Sequence, residues 1–142
     1  IPGFENANVA ATGPKIGIRE TRHAATVDLL REAVLKDGRR PPNTIALGGW
    51  PMEIHHGPGR VEYRRIGGPG FYGIPLGALQ SRDFVNLLLA GRAVGADPSA
   101  YASVRVMGTA FATGHAAGVA AAHGNGDVET IRHELGRQGA LL

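Results

Sequence analysis

The chain has 142 residues, 43% of them hydrophobic, and a net charge of +3; this suits one folded domain and excludes a disordered or fibrous chain. It has no cysteine, which excludes a disulfide framework and a thiolate metal site and points to a reducing compartment, the cytoplasm. Its apolar stretches fall short of the roughly 18 residues that a membrane span needs, and none reads as a signal peptide. Thirteen of the fifteen basic residues are arginines, scattered among acids with no interleaved aromatics. That pattern reads as a solvated basic surface and argues against a nucleic-acid binder, which concentrates its charge on one face.

In chain order, residues 1–17 carry Gly3, Gly13, Pro14 and Gly17 and read as loop or edge strand, with a short strand at 16–20. Residues 27–36 place Val27, Leu30, Val34 and Leu35 at helical spacing, with Asp37 and Gly38 as the stop. Residues 44–47 read as a strand ending at Gly48 and Gly49. The stretch 50–75 mixes proline, glycine, aromatics and charges, as short antiparallel strands joined by loops do; 61–66 is one candidate strand. Residues 86–90 read as a buried strand, and the fully apolar run 87–90 is expected to be covered on both faces. Ser103 is a candidate N-cap for a helix over 104–122, built almost entirely of small residues. Asp127 is expected to cap a last helix over 128–137, with Val128, Ile131 and Leu135 on one face.

This layout does not close on itself. A helix apolar all round needs partners on every side, and one good central strand with a few weak ones does not supply them. The expectation is an α/β protein, α+β if taken alone, that is a fragment of a larger fold. Gly114, Gly118 and Ala121 share one face of the long helix, and Gly118 is read as a close-packing position.

Several motifs compete for a chemical role. Residues 68–73, GPGFYG, match the dinucleotide pattern GxGxxG by letters. Pro69 lies inside and Pro75 follows, so no helix can start there, and the stretch reads as a loop. Arg19, Glu20, Thr21 and Arg22 form either an ion-pair cluster or a cation presented to an anion. Glu53, Ile54, His55 and His56 set a carboxylate beside two imidazoles. Zinc would need a third ligand at suitable spacing, which His115, His123 and His133 do not provide, so no metal is expected. His55 or His56 suits general acid–base work, or holds a loop carbonyl. No nucleophile elbow or Walker loop is present, and Ser81, Ser99 and Ser103 lack any acyl-transfer context. The run from 86 into Gly91 and Arg92, followed by a helix whose first-turn amides are free, is suited to an anionic, flat ligand.

These residues carry a resemblance. IPGFENA (1–7), IGIRETR (16–22), the stretch 43–55, YGIPLGAL (72–79), NLLLAGR (86–92) and ASVRVMGTAFATGHAAGVAAA (102–122) resemble, in order, the C-terminal third of bacterial FAD-dependent oxidoreductases of the glutathione-reductase-like two-domain class. The chain departs from that pattern at His23, Ala24 and Thr26, at Glu53 where aspartate is usual, and at Pro98 where a histidine is common. Those positions bear on substrate more than on flavin.

The resemblance implies that residues 1–80 end the substrate domain, 81–126 return a strand and helix to the FAD-binding domain, and 127–142 form a terminal helix and tail. It implies FAD as cofactor, a small-molecule substrate, and the remainder of the flavoprotein as partner; a homo-oligomer is left open. Gly91 and Arg92 would approach the ribityl and pyrophosphate part. Val106, Gly108, Thr109 and Ala110 would hold the pyrimidine edge of the flavin, and Arg105 would face flavin or substrate. His55 and Arg105 would be the catalytic pair. The rival readings are a non-catalytic α/β binding or assembly module, which predicts a closed, fully capped sheet, and the nucleic-acid binder, which predicts one continuous arginine face.

Overall fold

In the computed structural model residues 2–3, 5–13, 23–124 and 127–142 are described. The expected strand at 16–20 and the Arg19–Arg22 cluster lie outside them. The elements are α1 (Glu32–Asp37), β1 (Thr44–Gly48), β2 (Met52–Gly57), β3 (Arg60–Arg64), β4 (Tyr72–Pro75), α2 (Pro98–Val104), α3 (Met107–Ala122) and α4 (Val128–Arg137), with 3-10 turns at Leu76–Ala78 and Gly91–Ala93. The strands form two antiparallel pairs, β1 with β4 and β2 with β3. α3 and α4 pack on β1 and on each other, and α2 packs on β2. Leu35, Ile45, Ile74, Val94, Ile131 and Leu135 are buried between these layers.

The helix expected over 27–36 begins only at Glu32. Its first half is drawn into backbone pairing with distant segments: Val27 N–H donates to Gln80 O at 3.0 Å, Asp28 to Gly77 at 3.0 Å and Leu30 to Gly95 at 2.9 Å. Tertiary hydrogen bonds here outweigh a periodicity that would otherwise support another helical turn. α1 keeps its expected stop, with Gly38 at φ 61° closing it through Leu35 O and Val34 O.

The strand expected at 86–90 is reduced to one bridge, Gln80 with Leu88. The chain doubles back there, with Ser81 N–H on Leu87 O at 3.0 Å and Leu89 N–H on Leu79 O at 2.7 Å. Nor is the run covered on both faces: Leu87 is 42% exposed, and the preceding Phe84 and Val85 are more exposed still. A parallel strand needs neighbours on either side, and the described residues supply only this short antiparallel return.

The helix expected over 104–122 forms but starts only at Met107, and a separate short helix precedes it. α2 ends at Val104, Arg105 takes the C-cap position, and extended Val106 is the N-cap of α3. Ser103 is therefore not an N-cap. It sits buried in α2, where its Oγ meets the Tyr72 hydroxyl at 2.7 Å and donates to Trp50 O at 2.5 Å. Burial pushes the Tyr72 phenol up to about 12, so it stays protonated as part of this latch.

α3 turns Thr109, Thr113, Ala116, Val119 and Ala120 inward. Its other face is open: Met107 is 78% and Phe111 77% exposed, and Gly114 and Gly118 face space with no atom within 4 Å of an added Cβ. The close-packing role expected of Gly118 is thus not met within the described residues. α4 forms as expected, with Asp127 Oδ1 accepting from the N–H groups of Glu129 and Thr130 at 2.8 and 3.1 Å.

The β2–β3 hairpin is tied to α1 by charge. Glu62 Oε1 accepts from Arg64 Nε at 2.6 Å, Glu62 Oε2 lies 2.8 Å from His56 Nε2, and Arg64 Nη1 reaches Glu32 at 3.1 Å. Arg64 first, then His56, hold the Glu62 carboxyl down to about 2 from its ordinary 4.5. A carboxyl depressed in the folded state stabilises it above the unfolded value, and that contribution is lost as pH falls from about 4.5 to about 2. Glu62→Gln is therefore expected to show a smaller drop in melting temperature between about pH 6 and pH 2 than the parent protein. An identical drop would show that the pair adds nothing. Glu134, held down to about 2 chiefly by Arg137, keeps part of the acid sensitivity in both.

Candidate functional site

Glycine-rich GPGFYG sits in a loop, with Gly68 and Gly70 at positive φ, and runs into β4 rather than a helix. It makes no dinucleotide turn. The glycine that matters is Gly91. Its φ of 58° is left-handed, and a Cβ there would lie 3.3 Å from the Ala110 Cβ. Gly91 N–H donates to Thr113 Oγ1 at 2.9 Å, and the Thr113 hydroxyl donates in turn to Thr109 O at 2.7 Å. The Gly91–Ala93 turn is thereby docked on the first turns of α3. Nothing in residue spacing marked Thr113; the one clue was a threonine on the buried side of an alanine-rich helix.

Arg92 is exposed beside this contact. The start of α3 has no side-chain cap, and Ala110 N–H is the first to find an intrahelical acceptor, Val106 O at 3.0 Å. The earlier amides point away from the helix with its positive dipole end behind them. Gly108, in that turn, is exposed and open above its Cα. Gly91, Arg92, Val106, Gly108, Thr109 and Ala110 thus form one neighbourhood.

The second half of the site joins it through Arg105. From the break between α2 and α3 its Nη2 donates to Glu53 O on β2 at 2.7 Å. On the same strand His55 Nε2 lies 3.2 Å from Glu53 Oε1. His55 and Arg105, 50 positions apart in sequence, are brought to one residue. His56 is engaged elsewhere, with Glu62. Among the described residues no group of three His, Asp or Glu side chains is arranged to hold a metal. An apolar groove of about 490 Å³ between β1, α3 and the tail, lined by Leu47, Phe111 and Leu141 among others, contains none of these site residues.

First-turn amides at an uncapped helix start and an exposed guanidinium are donors suited to phosphate and to a polar ring edge, and the left-handed Gly91 allows close approach. The frame is mixed α/β, and FAD, with a pyrophosphate and a flat ring carrying carbonyls, fits that donor set. Residues 1–135 match the family described as FAD dependent oxidoreductase. The chain belongs to that family, which implies FAD as cofactor and a flavin-dependent oxidoreductase role. No match was found among curated proteins or among solved structures. No helix among the described residues is long and apolar enough to cross a membrane.

Proposed function

We propose that this chain is the C-terminal part of a larger two-domain flavoprotein, of the glutathione-reductase-like kind found in bacteria, that moves a hydride between a small organic substrate and FAD in the cytoplasm. On this reading residues 1–80 belong to the substrate domain, 81–126 return to the FAD-binding domain, and 127–142 add a helix and tail. The observation that carries it is the docking of the Gly91 turn on the uncapped start of α3, with Arg105 and His55 alongside. The incomplete cover of residues 87–90 and the open face of α3 support a missing sheet. They weigh against a closed, self-contained binding module, which would leave neither exposed.

Gly91 and Arg92 would hold the ribityl and pyrophosphate part. Val106, Gly108, Thr109 and Ala110 would present amides to the pyrimidine edge of the ring. The hydride chemistry is supplied by the bound flavin. Arg105 contributes a fixed positive charge that favours extra negative charge on the ring, and α3 adds its dipole in the same sense. His55 moves the substrate proton.

Two variants test the binding half. Gly91→Val puts a branched side chain at a left-handed φ and against Ala110, at a cost of about 1–3 kcal/mol in strain. The purified flavoprotein is expected to lose most of its flavin, read from the absorbance ratio of flavin to protein. Arg105→Ala should retain flavin but lower its reduction potential in a potentiometric titration. Full flavin content in Gly91→Val, or an unchanged potential in Arg105→Ala, would remove the respective residue from the cofactor site.

A further inference from the structure

α4 packs on β1 and brings Arg132 to the start of that strand, while Arg40 stands just before the proline turn that leads into it. Arg132 Nη1 donates to Thr44 O at 2.5 Å, and Arg40 Nη1 donates to the Leu142 main-chain oxygen at 3.3 Å. The Arg40 guanidinium also lies over the Phe71 ring, 5.5 Å from its centre. Both arginines line one cavity of about 280 Å³, with Pro41, Pro42, Thr44 and Leu142 as the other walls. No acidic side chain is among these. Among the described residues neither arginine makes an ion pair with a side-chain carboxylate. Other arginines are neutralised: Arg39 pairs with Asp37, Arg64 with Glu62 and Arg137 with Glu134.

We propose that this cavity is a second anion site, which takes the phosphate or carboxylate group of a small molecule between Arg40 and Arg132. A guanidinium carries several N–H donors in a fixed fork, and the contacts above use one from each. The fork matches paired oxygens of an oxyanion, and two uncompensated charges on one concavity attract it. The anchoring contacts hold both side chains in place beforehand, which lowers the ordering cost of binding. The walls offer no competing hydroxyl, because Thr44 Oγ1 is engaged with Pro41 O at 2.6 Å. The prolines stiffen the rim by fixing φ. None of these residues is among those proposed to hold FAD, so the site goes beyond the flavin reading.

The experiment is thermal unfolding of the flavin-loaded full-length protein in rising inorganic phosphate or acetate, against chloride at matched ionic strength. A ligand that binds only the native state raises the melting temperature with its concentration. At least one of the two anions is expected to do so beyond the chloride control, and which one identifies the group taken. Arg40→Gln and Arg132→Lys should each weaken the apparent affinity by about tenfold, the worth of one charge-assisted hydrogen bond. Arg132→Lys keeps a cation on an apolar stem, which guards the fold. Arg39→Gln removes the same charge one position away, where Asp37 already holds it, and should leave the affinity unchanged. No shift beyond chloride would show that Thr44 and Leu142 already satisfy the pair. A shift that survives both variants, or falls equally in Arg39→Gln, would place the anion elsewhere. Loss of flavin from Arg40→Gln or Arg132→Lys would assign the pair to the cofactor. Any of these overturns the site. The readout needs no turnover, so failure of the hydride-transfer role would leave it standing.

Discussion

His55→Ala in the flavin-loaded protein is expected to slow substrate-driven flavin reduction by about 10²–10⁴-fold, the usual contribution of a positioned acid–base group. Flavin content and visible spectrum should be retained, because His55 is on β2 and none of the contacts between the Gly91 turn and α3 involve it. The wild-type rate should vary with pH across the imidazole range, and that variation should flatten in the variant. His56→Ala is the matched control: its imidazole belongs to the Glu62–Arg64 network on the hairpin surface, so the reduction rate should stay near wild type. The measurement is anaerobic stopped-flow reduction over a pH series with a small organic substrate that bleaches the flavin. A wild-type rate in His55→Ala at every pH would make His55 a structural residue of the hairpin.

Asp97→Ala is expected to destabilise the protein by about 2 kcal/mol, twice the typical loss for one helix cap. Its carboxylate caps two helices at once. Oδ1 accepts from Ala100 N–H at 2.8 Å at the start of α2, where Pro98 follows the cap, and Oδ2 accepts from Glu32 N–H at 2.7 Å at the start of α1. α1 has no cap of its own, since Arg31 makes no capping hydrogen bond. Removing the carboxylate leaves two partly buried donors without acceptors, and α1 is too short to hold itself together without tertiary support. The backbone bond from Asp97 N–H to Leu30 O at 2.9 Å survives, so neither segment should detach and the whole transition should shift as one. In urea the midpoint should fall with an unchanged slope. Asp97→Asn, which keeps one side-chain acceptor, should lose about half as much. A midpoint for Asp97→Ala equal to that of the parent would show that solvent satisfies both amides.

What could be read from residues alone was local in its physics. Asp127 before an amphipathic run specified α4, because a cap and its helix are neighbours in sequence. The run 44–47 became β1, and 61–66 largely became β3 at Arg60–Arg64. Proline in and after GPGFYG ruled out a helix there, whatever the surroundings. The order of turn and helix pointed to Gly91 and the start of the long helix as neighbours, and in the structure a Cβ on Gly91 would lie against Ala110. The roles of Arg105 and His55 came from resemblance.

The rest was decided by partners far away in the chain. Residues 27–31 carry a helical pattern, yet amides among them bond to Gln80, Gly77 and Gly95. Residues 86–90 look like a central strand, but a strand is defined by its neighbours, and here only the return from Gln80 is at hand. Ser103 has the composition of a cap, but Tyr72 and Trp50 bring it into a buried latch instead. Asp97 caps a helix 65 residues upstream, a relation that no local window contains. Glu53 joins His55 to Arg105 across 52 residues. Caps, alternation and proline act within one turn or one strand and so are written into the sequence. Hydrogen bonds between segments become available only when the burial of apolar faces brings those segments together, and that depends on the whole chain.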